Sequence, residues 1–573
     1  MAPDPSAARK IDSATRLFLF GAGACALLSW LMPTHELPWT TFHAELAMGI
    51  AALFGSVSVL SALRGRVVAM PSLTVFAAAV SMTPLLQLLV GTIRFAGDAI
   101  LSSLYLFSFA MTVAISFHAA RLWSGRRVLD ACAWVVVLAA IASSGMALGQ
   151  WQMSDGLPLL VNTLAPLSRP YANLLQPNLL ATLLVLGLVG VACLFDNRRI
   201  SAAVSLLTAA LISFGLILAQ SRAAWLELAV ISLVVIAKRR ALTGSLGLRH
   251  FAIGAMLLIL AQLAWMVLDP LSAHPVARDA TVSTASTGNR ITHWHEMAVA
   301  MLRRPWSGYG WMGVVSAQYD VAAAFPATHE ILGYSHNLVL DLLVCTGIPL
   351  GLIIVGWLLV WLWGVATSAT DSTALLALVA LMAMLSHAQV EYPLAYTYFL
   401  LPAGVLCGLL CADGPTASVR VVPAWLSPML LCGAASLLFV VSVDYLTVEQ
   451  QMMRLRFEQA RIGLHAPQST LPPIRLLSQF DALLQFARTP ERKDMTELQL
   501  GEMRQTVARF PSGANMVRLA AALALNNQSE EAVQVLRRVC KLEPEATCQN
   551  LTALWAVLGA RQPAIQRVTW PSA

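Results

Sequence analysis

Apolar runs of membrane length alternate with short polar connections along most of the chain. They lie near 17–31, 45–63, 71–91, 99–118, 130–150, 173–195, 200–220, 223–237, 251–268, 338–363, 373–389, 395–411 and 424–445. Each approaches the roughly 20 residues a helix needs to cross a bilayer, so the pattern predicts an all-α, polytopic transmembrane protein of about 13 spans. The alternation breaks twice. A mostly polar stretch fills 269–337, ending in Tyr334-Ser335-His336-Asn337 as the next apolar run begins. After Tyr445 the apolar runs stop, and Glu, Gln, Arg and Leu at helical spacing take over. The expected organisation is a membrane domain over 1–445, including the loop 269–337, and a soluble helical domain over 446–573. Within that tail, Pro511-Ser512, an Ala/Leu-rich run to Asn527, and Ser529 to Leu542 before Pro544 have the look of a tetratricopeptide helical hairpin.

Basic residues orient the spans, because short loops rich in Lys and Arg stay on the cytoplasmic side. Arg9, Lys10 and Arg16 precede the first run; alternate loops then carry Arg64 and Arg66, Arg121, Arg126 and Arg127, Arg198 and Arg199, and Lys238 to Arg240 with Arg249. The N-terminus is therefore expected inside, and the 269–337 loop and the tail outside. The outer positions collect Arg169 to Asn178, Gln220 to Arg222, the long loop and Glu391-Tyr392-Pro393.

Composition narrows the picture. At 58% hydrophobic and 12% charged residues, with a mean hydropathy of +0.69, a soluble protein is excluded. The net charge of +7 is explained by topology and implies no nucleic acid partner. Seven of the nine cysteines lie in or beside apolar runs; Cys540 and Cys548 are a candidate disulfide across the Pro544 turn if the tail is outside. No CxxC or Cys/His spacing points to a metal. His293, His295 and Glu296 superficially look like ligands, but positions i and i+2 of a helix diverge and no HExxH completes a set.

Several boundary residues could carry chemistry. Arg222, in a tight turn between two runs, is costly near hydrocarbon without an anion or water, and its fork fits a phosphate; snorkelling to headgroups is the alternative. Arg290, read from Thr287-Gly288-Asn289-Arg290 as lying at the start of an amphipathic helix, could complete an anion site there. His336, at the head of a span, can accept a proton from a hydroxyl near neutral pH. Gln176 and Asn178 begin the sixth run and Glu391 and Tyr392 follow the eleventh, setting hydrogen-bonding groups at the outer boundary; capping and aromatic anchoring would also place them there.

The chain resembles the O-antigen ligase superfamily, and within it the bacterial protein O-oligosaccharyltransferases that glycosylate pilins and other periplasmic proteins. The segments that carry the resemblance are Pro38 to Glu45, Pro84 to Gln87, Arg169 to Asn178, Gln220-Ser221-Arg222, Arg303 to Trp311, Ser335-His336-Asn337 with Thr346 to Pro349, and His387 through Glu391-Tyr392-Pro393-Leu394 to Leu400. Asp341 and Cys345 depart from the pattern, standing where a Gln and an acidic residue are expected. The resemblance implies a membrane fold of GT-C-like character in the bacterial inner membrane, with its active site facing the periplasm. It also implies en bloc, metal-independent and inverting transfer of an oligosaccharide from undecaprenyl diphosphate to Ser or Thr hydroxyls of a pilin-like acceptor, with no cofactor. Arg222 and Arg290 match diphosphate-binding arginines and His336 the essential histidine; Gln176 and Tyr392 match positions that relatives also need, and Asn178, Asn337 and Glu391 are expected to support them. Transfer to lipid A core, glycan polymerisation and, in a different class, transport of lipid-linked oligosaccharides are the alternatives.

Overall fold

A computed structural model describes residues 12–63, 68–152, 160–164, 168–271, 280–413, 420–462 and 472–571. Arg9, Lys10, Arg64 and Arg66 lie outside them, as does part of the long loop. The chain is an all-α membrane protein whose described strands are one short antiparallel pair, Val68–Met70 with Arg420–Val422. Among the described residues, ten helices are long and apolar enough to cross a membrane. Arg222–Ala237, Ser372–His387 and Thr397–Asp413 are apolar helices of 16, 16 and 17 residues.

The contacts divide the chain into two units. The first comprises 1–80, 105–278 and 357–438. At its centre lies Pro177–Asp196, whose run from Leu179 to Gly187 is entirely buried. A helix that is apolar all round can be satisfied only by neighbours on every side. Here they are Gly125–Trp151, Ala202–Ala219, Arg222–Ala237 and Ser372–His387. Gly187 and Gly190 permit the closest approach, since a Cβ there would meet Ala140 Cβ at 2.5 Å and Val137 Cγ2 at 2.9 Å.

The second unit is assembled from 81–104, 279–356 and 439–573. One part of its core joins Met297 and Ala300 of helix Ala280–Arg303 to Val314, Ala317, Leu332 and Val344. Another gathers the tail helices Glu497–Arg509, Gly513–Leu525 and Ser529–Leu542 around Met503, Leu519, Leu523 and Leu536, with Ala322 from the loop among them. A disulfide closes Cys540 to Cys548.

Three sequence expectations change. The run 338–363 is not one span: it breaks at Gly347 (φ 81°) into Leu338–Thr346 and Ile348–Ser368, and only the second has the length to cross a membrane. The break is enforced by packing, because a Cβ at Gly347 would lie 2.4 Å from the Trp306 carbonyl oxygen. Hydropathy is blind to it, both halves being apolar. The last apolar run does not end at 445 but continues as one helix, Leu426–Gln459. Finally, Arg290 is not at a helix start, since its helix begins at Ala280. Gly288 invites a boundary, yet a single interior glycine costs only about 1 kcal/mol, which tertiary contacts readily outweigh.

Candidate active site

The residues singled out from sequence fall into two groups, one in each unit. In the first unit they converge on Glu391, a carboxylate only 3% exposed. Gln176 caps the N-terminus of Pro177–Asp196, with proline at the first helical position, where its missing N–H costs nothing. From that turn Gln176 Nε2 donates to Glu391 Oε2 (3.3 Å) and Asn178 Nδ2 to Glu391 Oε1 (3.0 Å). Asn178 Oδ1 in turn accepts from Ser221 Oγ (2.9 Å), and Ser221 caps the helix that Arg222 begins, accepting from Ala224 N (3.3 Å). The turn before it is tight: Gln220 ends the preceding helix in the left-handed region at φ 45°. Its carbonyl accepts from Arg169 Nη1 at 3.2 Å. Burial lowers the pKa of the Arg169 guanidinium, and the neighbouring charge of Arg222 adds to this, while Glu391 opposes both. The exposed Arg222, the half-buried Arg169 and Glu391 thus form a cationic boundary with one internal counter-charge. Tyr392 follows directly, its ring 6.0 Å from that of Tyr396.

In the second unit His336 is half-buried and adopts φ 59°, a left-handed conformation that is uncommon outside glycine and is retained where the surroundings impose it. Both neighbours are pinned. Ser335, fully buried, donates its N–H to Asp341 Oδ1 (2.7 Å), and its carbonyl accepts from Trp294 Nε1 (3.0 Å). Asn337 caps Leu338–Thr346 by accepting from Leu340 N at 3.0 Å. Asp341, a departure from the resemblance, is therefore what closes the turn that presents His336. Burial pushes its carboxyl up to about 6, against the hydrogen bonds from Ser335 and the nearby His336 ring. Trp294 is four residues beyond Arg290, on the same helix face, so the face bearing the half-buried Arg290 is the one that meets the His336 turn.

The same helix is locked from behind. His293, 2% exposed, sits between Glu296 Oε2 (3.2 Å) and Glu330 Oε2 (3.3 Å). Burial alone would lower its pKa; hydrogen bonds and charge from the two carboxylates outweigh that and raise it to about 9. Among the described residues no group of three or more His, Cys, Asp or Glu is arranged to hold a metal ion.

Sequence reasoning named no role for Arg169, Asp341 or Glu45. The Glu45 carboxylate accepts from Trp39 Nε1 (3.0 Å), Thr41 Oγ1 (2.5 Å), the Tyr105 hydroxyl and Thr397 N (3.2 Å). An acidic residue in the first turn of an otherwise apolar span was the available signal.

Residues 207–355 match the family described as O-Antigen ligase, and residues 373–553 match the family described as virulence factor membrane-bound polymerase, C-terminal. Over these two stretches the chain is similar to O-antigen ligases and to membrane-bound polymerases. Arg222, Arg290 and His336 lie within the first match and Glu391 and Tyr392 within the second, while Arg169, Gln176 and Asn178 precede both. Two proteins of Acinetobacter baylyi (strain ATCC 33305 / BD413 / ADP1) are similar to this chain. A general O-oligosaccharyltransferase is 29% identical over 543 residues, covering 91% of this chain and 92% of that protein. A ComP-specific O-oligosaccharyltransferase is 27% identical over 335 residues, 58% of this chain and 60% of that protein.

Proposed function

We propose that this protein is a membrane glycosyltransferase of the inner membrane that moves an oligosaccharide en bloc from undecaprenyl diphosphate to Ser or Thr hydroxyls of periplasmic proteins such as a pilin. The observation that carries it is the similarity to a general O-oligosaccharyltransferase across nine-tenths of both chains. His336 takes the proton of the acceptor hydroxyl. The hydroxyl oxygen bonds to the anomeric carbon as the bond from that carbon to the diphosphate oxygen breaks, inverting the centre and releasing undecaprenyl diphosphate. Arg222 and Arg290 stabilise the charge that develops on the leaving diphosphate. Gln176 and Asn178 orient Glu391, which balances Arg169 and Arg222 while the donor is absent; Asn337 supports the His336 turn and Tyr392 offers an aromatic face to the glycan. The reaction as drawn needs neither metal nor cofactor.

The match to a polymerase description favours one second reading, in which the acceptor is a saccharide, either lipid A core or another glycan repeat. Purified protein incubated with lipid-linked oligosaccharide and, separately, a pilin-like protein, lipid A core and free glycan decides between them. Glycosylated pilin is expected, with His336→Ala lowering the rate by roughly 10²–10⁴-fold. Transfer by His336→Ala at the wild-type rate would remove the proposed base.

A further inference from the structure

Inside the first unit three side chains that the mechanism leaves unused meet where hydrocarbon-facing helices pack. Thr182, Glu227 and His387 are each fully buried. Thr182 Oγ1 donates to Glu227 Oε1 at 2.6 Å and lies 2.5 Å from His387 Nδ1, while Glu227 Oε1 and His387 Nδ1 are 3.4 Å apart. Ionisable groups at such depth are costly, and a cluster of this kind can often be exchanged for apolar packing without loss of stability. The cost is visible in Glu227 Oε2, buried and without a hydrogen-bond partner among the described residues.

Each helix in the cluster also carries a group of the site. Thr182 lies four residues after Asn178 on Pro177–Asp196, its hydroxyl 3.2 Å from the Asn178 carbonyl oxygen. Glu227 lies six after Ser221 and five after Arg222. His387 lies four before Glu391, and its carbonyl accepts the Glu391 N–H at 2.9 Å. A threonine hydroxyl has one proton to give. If it goes to Glu227, His387 Nδ1–H must donate to Thr182; if it goes to His387, a protonated Glu227 must. In either arrangement Thr182 Oγ1 touches both of the others, which also approach each other directly at 3.4 Å.

We infer that Thr182, Glu227 and His387 are positioning residues for the lipid diphosphate: they fix the axial register of three helices so that Asn178, Ser221-Arg222 and Glu391 converge. This rests on the donor-binding role proposed above for Arg222, with Glu391 as its counter-charge. The test uses the full-length protein in detergent, with Thr182→Val (same shape, no hydroxyl), Thr182→Ser (hydroxyl kept) and Glu227→Gln. Affinity for undecaprenyl diphosphate and KM for donor and for acceptor are measured beside the thermal midpoint.

Thr182→Val is expected to weaken donor affinity and raise donor KM by about tenfold or more, the scale of a slightly misplaced site, with acceptor KM unchanged. Thr182→Ser should restore donor KM to near the wild-type value. A purely structural role predicts a fall in midpoint and active fraction with donor KM unmoved, and that result overturns the inference, as does equal loss in the Val and Ser variants. Should Thr182→Val not fold, Glu227→Gln carries the same donor-specific expectation. Wild-type protein that binds undecaprenyl diphosphate but transfers no glycan would sink the proposed activity and leave this inference to the binding data; wild type that binds none would sink both.

Discussion

Asp98 and Arg509 are 411 residues apart in sequence and form a forked pair in the second unit. Arg509 Nε donates to Asp98 Oδ2 at 2.9 Å and Nη2 to Oδ1 at 3.0 Å, with side-chain exposures of 17% and 6%. The guanidinium also lies over the Phe510 ring, 5.0 Å from its centroid. Two unit charges about 4 Å apart at an effective dielectric near 20 attract by about 4 kcal/mol. Most of that is offset by desolvation while both partners are present, but removing one leaves the other buried and uncompensated, at a cost of about 3–5 kcal/mol. Against a typical domain stability of about 5–15 kcal/mol, either single change should visibly loosen the unit. Asp98→Leu and Arg509→Met are therefore each expected to destabilise by that amount, whereas the double variant Asp98→Leu/Arg509→Met should lose far less than the sum. Urea titration in detergent, followed through the buried Trp555, reads all three. Additive losses across the cycle, or a single-variant loss below about 1 kcal/mol, would show that solvent reaches the pair and that burial is not what makes it matter.

Two further outcomes follow from the second unit. His293 has a folded pKa of about 9 against an ordinary 6.5, so the stability it contributes, about 3 kcal/mol, is complete below pH 6.5 and lost as pH rises through 9. Thermal midpoints should thus fall between pH 7 and 10 in wild type and fall less in His293→Gln; parallel curves would refute the paired charge. Cys540 and Cys548 close a loop with a sequence separation of 8, for which chain entropy gives about 2.5 kcal/mol. Thr328 N and His329 N both donate to the Lys541 carbonyl within that loop at 3.0 Å. Reduction should accordingly speed hydrogen exchange at these two amides, and unchanged exchange would mean the loop holds its shape without the bridge.

The apolar runs made the membrane helices legible because a 20-residue hydrophobic stretch has few other uses, and the loop ends exposed His336, Arg222 and Glu391 as expensive residues in unusual places. What the runs could not convey is which buried polar groups answer one another. Glu227 and His387 sit inside two apolar segments far apart in sequence, and each alone reads as a blemish in a span; only helix packing joins them through Thr182. Asp341 departs from the resemblance, and its part in closing the His336 turn was illegible because its partner is a backbone N–H, which no side-chain pattern records. The break at Gly347 was hidden for the opposite reason, since tertiary packing overrode a local signal that was correct on average.

The interleaving of the second unit has a consequence for biosynthesis. Its three pieces are separated by two segments of the first unit, 105–278 and 357–438, and at the usual 5–20 residues per second Arg509 emerges roughly 20–80 s after Asp98. For that interval a carboxylate in the opening turn of a nascent span waits for its partner, and the His336 turn exists without the framework that completes its unit. The unit bearing the candidate base cannot fold until the tail has been made, so a message truncated shortly after codon 445 should yield an inserted but incomplete polypeptide, a substrate for membrane proteases rather than a smaller enzyme.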